Sequence, residues 1–178
     1  MNRLVAFLRG MNLGGRRISN ADLRSHFEAL GCEEVATFRA SGNVIFEADG
    51  RPAQLTARLE AGLAEALGYE VPVFLRSADE ALAIAAHEPF GAKAVEASKG
   101  KVQVALLTKA PGRAATKEAL ALSTDDDRLA VKGRELYWLP RGGISESELD
   151  LTSLGDALGP TTIRTKNTID QLAAKYLG

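Results

Sequence analysis

Short apolar runs and four-residue apolar spacings alternate along this chain in a fixed order, and that order constrains the fold more than any other feature. Leu4, Val5, Ala6, Phe7 and Leu8 form a continuous apolar run of strand length. A loop over residues 10–18 comes next, holding three glycines. Ser19-Asn20-Ala21-Asp22 then has the form of a capping box, with aspartate in place of the usual glutamate. Leu23, Phe27 and Leu30 recur at helical spacing before Gly31, so a helix is expected over about residues 20–30. Residues 35–38 and 43–48 read as strands joined by the tight connection Arg39-Ala40-Ser41-Gly42. Pro52 suits the first turn of a second helix, along which Leu55, Leu59, Leu63 and Leu67 are spaced by four and which Gly68 ends. Residues 71–75 read as a fourth strand. Pro72 cannot donate a ladder hydrogen bond, which puts it at the strand start or on a sheet edge.

The order βαββαβ over residues 1–76 is that of the ferredoxin-like split βαβ arrangement. A short helix over 78–86 and a linker from His87 to Gly100, carrying Pro89 and Gly91, separate it from the second half of the chain, so 77–100 reads as helix and linker. The order then recurs over 101–178. Strands are expected over 101–107, 128–131 and 135–139, the last two flanking the hairpin signal Lys132-Gly133-Arg134, and a helix from Pro111 to Leu122. Leu151, Leu154 and Leu158 mark another helix, residues 161–164 a last strand, and Asn167-Thr168-Ile169-Asp170 the cap of a final helix. The expected fold is α+β, two ferredoxin-like halves with antiparallel sheets. In the first and third strands both faces carry apolar residues, whereas an open antiparallel sheet is polar on one side. Something is therefore expected to cover the second face, most economically the other half of the chain.

Of the 178 residues 46% are hydrophobic and 25% charged, and the formal net charge is -1, which supplies no general drive toward nucleic acid or membrane. A single cysteine, Cys32, makes an intramolecular disulfide impossible. The N-terminal apolar run is too short for a signal-peptide core, and no run approaches the roughly 18 residues of a membrane span. These features point to the cytoplasm and to no membrane association.

The run Phe7-Leu8-Arg9-Gly10-Met11-Asn12-Leu13-Gly14-Gly15 resembles the N-terminal signature of domain-of-unknown-function family 1697 (DUF1697), in which an arginine-glycine-(isoleucine or methionine)-asparagine run precedes a glycine pair. The resemblance continues at Ser41-Gly42-Asn43-Val44, near Glu88-Pro89-Phe90, and over Thr162-Ile163-Arg164-Thr165-Lys166-Asn167-Thr168. Many members carry asparagine and tryptophan where this chain has Thr165 and Lys166, so an aromatic ring is absent there and a positive charge is added. The resemblance implies an α+β fold and no particular activity.

Three groups of residues are candidate sites. The first is the connection after the first strand, with Arg9, Gly10, Asn12, Gly14 and Gly15. It spans roughly nine residues where strand-to-helix connections take about 2 to 6. It also ends at a helix N-terminus, where unpaired N–H groups favour an anion. The alternative is that the glycines only permit a fold-back and Arg9 pairs with a carboxylate. The second is Ser41, Gly42 and Asn43, which the strand order brings to the same sheet edge as Arg9; turn chemistry alone also explains them. The third is Arg164, Lys166, Asn167 and Thr168 before the final helix, where capping by Asn167 or Thr168 is the competing reading.

The glycine spacing fits neither a Walker loop nor a dinucleotide fingerprint, and no metal-ligand spacing occurs, so no cofactor and no metal are expected. Asp125-Asp126-Asp127 reads as a solvated turn rather than a Mg²⁺ site. Cys32 reads as a packed residue rather than a nucleophile. Phe7 and Phe46 occupy the strands on which RNA-recognition sheets expose aromatics, but the glycine-aromatic consensus is missing. The expected function is binding of a small phosphorylated or carboxylated ligand at the Arg9–Gly15 loop. The alternative is a protein-interaction module or homodimer that uses the half-apolar sheet face. RNA binding and catalysis rank below both.

Overall fold

The computed structural model describes residues 1–11, 17–39 and 42–178. The chain divides into two compact units, Met1–Leu82 with Leu172–Gly178, and Ala83–Gln171. The first contains β1 (Asn2–Leu8), α1 (Asn20–Ala29), β2 (Glu33–Thr37), β3 (Asn43–Ala48), α2 (Pro52–Leu67), β4 (Val73–Ser77) and the start of α3 (Ala78–Ala86). Its antiparallel sheet has the order β2-β3-β1-β4, as the split βαβ arrangement requires. Phe7 stands opposite Asn43 on one side of β1 and opposite Phe74 on the other.

The local signals act where their chemistry points. The Ser19 hydroxyl accepts from the Asp22 N–H at 3.0 Å and caps α1. Pro52 opens α2, and Gly68 closes it with φ +80°. Leu55, Leu59 and Leu63 of α2 and Leu23 and Phe27 of α1 pack on Leu4, Ala6, Leu8, Val44 and Phe46. The Phe27 and Phe46 rings meet edge-on with centroids 5.3 Å apart. Each such side chain contributes about 1.5–3 kcal/mol by leaving water. The second sheet face is buried too, at Val5, Phe7, Ile45 and Phe74. Arg3 donates to the Tyr176 carbonyl at 3.3 Å, and Phe38 meets the Tyr176 ring edge-on at 6.2 Å, so the C-terminal residues belong to this unit.

The second unit holds α4 (Ala92–Ala97), β5 (Gln103–Leu107), α5 (Arg113–Leu120), β6 (Asp127–Lys132), β7 (Glu135–Pro140), a 3-10 turn (Ile144–Glu146), α6 (Leu151–Leu158), β8 (Thr161–Thr165) and most of α7 (Lys166–Tyr176). Its sheet order, β6-β7-β5-β8, repeats that of the first unit. Ala105, Leu107, Leu136, Trp138, Leu154 and Leu158 form its core. Val104, Leu106 and Tyr137, on the other face, are also buried.

Several element ends shift by up to two residues, as at β4, which runs Val73–Ser77 where 71–75 is expected and so leaves Pro72 ahead of the strand; the structure departs further in two places. The segment expected as a linker contains α4. The final helix starts at Lys166 and not after Asn167: the Thr168 N–H donates to the Thr165 hydroxyl at 3.2 Å, so Thr165 is the cap. Asparagine is the stronger cap in general. Here pairing of Thr165 with Gln103 holds Thr165 extended and decides the boundary. The first unit makes the same strand-to-helix step, where Ser77 and Glu80 form a reciprocal capping box at 2.8 and 3.1 Å.

Candidate functional site

The end of β1, the β2–β3 hairpin and the start of α1 converge in the first unit. Leu8 N–H donates to the Gly42 carbonyl at 2.8 Å, and Arg9 N–H to the Pro72 carbonyl at 3.1 Å. Gly10 and Gly42 have φ of +75° and +76°, the left-handed region that glycine enters freely. A β-carbon on Gly42 would lie 3.0 Å from Leu8 Cβ and 3.1 Å from Met11 Cγ, so close approach also demands glycine. Asn43 is fully buried. Its amide donates to the Phe38 carbonyl at 2.9 Å while Phe38 N–H donates to the Asn43 carbonyl at 3.0 Å, which clamps the hairpin. The Asn20 amide reaches the Arg39 carbonyl at 3.5 Å, linking the hairpin to the helix start.

Arg9, Arg17 and Arg39 are all exposed around this junction. The Arg39 guanidinium lies 5.3 Å from the Phe38 ring centroid, a cation–π distance. The carboxylate expected as an alternative partner for Arg9 is not found among the described residues. Asn12, Gly14, Gly15 and Ser41 lie outside the described residues. Sequence reasoning did not single out Arg39. Its signal was topological: it sits in the hairpin that the strand order brings beside the end of β1.

The third group belongs to the second unit, and its polar atoms are engaged there. Arg164 is buried and donates to the Thr162 hydroxyl at 2.8 Å and the Ile163 carbonyl at 3.0 Å; burial lowers its pKa to about 10. Arg76 holds the matching place in the first unit, opposite Val5 as Arg164 is opposite Val104. The buried Lys166 ammonium donates to the Ala85 carbonyl at 2.7 Å, to Glu88 at 3.1 Å and to Asp170 at 2.9 Å. Thr168 shares a hydrogen bond with Thr165, and Asn167 is exposed.

An open cleft of about 680 Å³ in the second unit is lined by Lys99, Asp125, Asp126, Asp127 and Arg141, among others. Asp127 corrects the solvated-turn reading. It is buried and accepts from Trp138 Nε1 at 2.8 Å, the Ser147 hydroxyl at 2.7 Å and the Thr124 hydroxyl at 2.8 Å. Burial alone pushes its pKa up, but the bonds from Ser147, Trp138 and Thr124 outweigh it and hold the carboxyl below its ordinary value. Among the described residues no three histidine, cysteine or carboxylate side chains gather as a metal site. Burial pushes the Cys32 thiol up to about 11, with Arg58 opposing, so the thiolate is scarce at neutral pH. Phe7 and Phe46 are fully buried and present no ring to a base.

The family of proteins of unknown function DUF1697 matches residues 1–137, more than half of the chain. The chain belongs to the DUF1697 family. The matched span takes in the whole junction at Arg9 and Gly42, while the motif over Thr162–Thr168 lies beyond it. Among solved structures, this DUF1697 protein is similar to the conserved bacterial protein SP0830 from Streptococcus pneumoniae, at 23% identity, TM-score 0.73 and 98% coverage of each chain. That likeness concerns the fold alone. No curated protein matches the chain in sequence. Among the described residues no helix is long and apolar enough to cross a membrane.

Proposed function

We propose that this DUF1697 protein binds a small anionic ligand, phosphorylated or carboxylated, at the junction of β1, the β2–β3 hairpin and the start of α1. The observation that carries the reading is that three exposed arginines lie on segments meeting at this junction: Arg9 at the end of β1, Arg17 ahead of α1 and Arg39 in the β2–β3 hairpin. Guanidinium groups bind carboxylate and phosphate oxygens in a forked geometry. Backbone N–H groups at a helix start add to the positive field, and the glycines allow a ligand to approach the backbone closely. Asn12, Gly14, Gly15 and Ser41 complete the proposed site. Arg164 and Lys166 are left out of it because their charged groups already serve the second unit's interior.

The test is a thermal-shift series with inorganic phosphate, sulfate, nucleotides and sugar phosphates. A ligand that binds only the folded chain raises its stability by mass action, by about 2.7 kcal/mol at one hundred times its Kd. Stabilisation is expected in wild type, to fall in Arg9→Ala and Arg39→Ala, and to persist in Lys166→Met. Equal stabilisation of Arg9→Ala and wild type by every anion contradicts the assignment. The buried sheet faces weigh against the alternative of a partner docked on an apolar sheet face, since Val5, Phe7, Ile45, Val104 and Leu106 expose no surface.

A further inference from the structure

The outer strand of the second unit has a feature that anion binding does not use. β8 is the last strand of its sheet. Lys166 N–H donates to the Val102 carbonyl at 2.9 Å, and Arg164 stands opposite Val104. By alternation, Thr162 and Arg164 direct their backbone groups toward β5, while Thr161 and Ile163 direct theirs outward. The edge strand β2 in the other unit is interrupted by a register shift between Glu33 and Ala36. β8 contains no shift and no proline, and four of its five residues are β-branched. A register break and a proline, two of the devices that blunt an edge strand, are therefore absent, while short length and the inward-pointing Arg164 remain.

Beside this edge, between the sheet and α6, lies a cavity of about 60 Å³ lined by Ala105, Leu107, Trp138, Leu154, Gly155 and Thr161, among others, with no charged side chain. α6 has 8 residues where its counterpart α2 has 16. Two residues at the cavity, Leu151 and Ile163, are 49% and 38% exposed. The Thr161 hydroxyl is buried without a hydrogen-bond partner among the described residues.

We propose that β8 accepts an extended peptide segment of a partner protein as an added strand, with one uncharged aliphatic side chain filling the cavity beneath α6. The outward backbone groups of Thr161 and Ile163 hold the segment's main chain. The uncharged lining selects an apolar side chain, and the volume suits an aliphatic one. A second copy of the chain is the poorer fit. A five-residue edge with two exposed apolar side chains falls far short of the roughly 1,200–2,000 Å² that a stable protein–protein interface buries. Strand addition by an extended peptide draws affinity from main-chain bonds and specificity from side-chain pockets.

The chain's single tryptophan, Trp138, lines the cavity, so its fluorescence reports occupancy. The probe is a set of capped heptapeptides, Lys-Thr-Thr-X-Thr-Thr-Lys, with X varied over all amino acids. Binding is expected with X as Val, Ile or Leu and not with Asp or Lys. It is expected to weaken about tenfold, some 1.4 kcal/mol, in Gly155→Leu, whose side chain enters the cavity from a position with open space around its β-carbon. Ile163→Lys, at an exposed site, weakens it similarly and serves if Gly155→Leu fails to fold. Absence of binding by every peptide at millimolar concentration overturns the proposal. So does binding undiminished in both variants, or a wild-type dimer in sedimentation that Ile163→Lys disperses, which assigns the edge to a second copy.

Discussion

At Gly42 a left-handed backbone and a crowded α-carbon coincide, so any side chain there costs twice. Gly42→Ala is expected to lose about 1–2 kcal/mol from the backbone conformation alone, with a further loss from contact with Leu8 and Met11, read as a lower urea midpoint with unchanged m-value. Asp127 gives a pH-dependent prediction. Its carboxyl titrates below its ordinary value in the folded chain, so its contribution is complete above the unfolded-state carboxylate range and is lost as pH falls through the folded pKa. Asp127→Asn is expected to cost about 2 kcal/mol near pH 7, and the gap to wild type to narrow on acidification, as measured by urea melts at stepped pH. A gap independent of pH contradicts the three-donor account. From sequence, Asp127 was one of three consecutive aspartates. Its partners Trp138 and Ser147 lie 11 and 20 residues away, and only the folded sheet brings them together.

Helix ends and strand ends were legible wherever the signal was local. Ser19, Pro52 and Gly68 act at the positions where their chemistry points, and β3 and α3 take the boundaries that periodicity indicates. The reading failed where pairing overrides propensity. The ladder to β5 carries β8 through Thr165 and hands the cap to that residue. Thr165→Val is therefore expected to cost about 1 kcal/mol, while Asn167→Ala stays within about 0.5 kcal/mol of wild type, both by thermal melt. The opposite ranking returns the cap to Asn167. α4 was missed because its six residues, Ala92–Ala97, are too short to show an apolar stripe and bury no residue fully.

Across the whole molecule the repeated strand order was readable because each half alternates its periods in the same sequence, although the halves share no recognisable motif. The matched buried arginines Arg76 and Arg164 became visible only with strand register in hand. The candidate site divides in the same way. Topology alone brought Arg9 and Asn43 to one sheet edge, and the register has them two residues out of step, with Phe7 opposite Asn43. Lys166 looked like a ligand group because sequence spacing does not reveal that Ala85, Glu88 and Asp170 surround it. Removing the ammonium leaves the Ala85 carbonyl and Asp170 without their donor, so Lys166→Met is expected to cost about 1–3 kcal/mol, read by urea melts.

The central claim is that anions bind at the β1–hairpin–α1 junction, and backbone ¹H–¹⁵N spectra recorded during titration with inorganic phosphate test it most directly. The account expects saturable shifts at the amides of Arg9, Gly10, Asn20, Arg39 and Gly42, abolished in Arg9→Ala. Saturable shifts confined to Lys99, Arg141 and the cleft of the second unit, or none at the junction with any anion, contradict it.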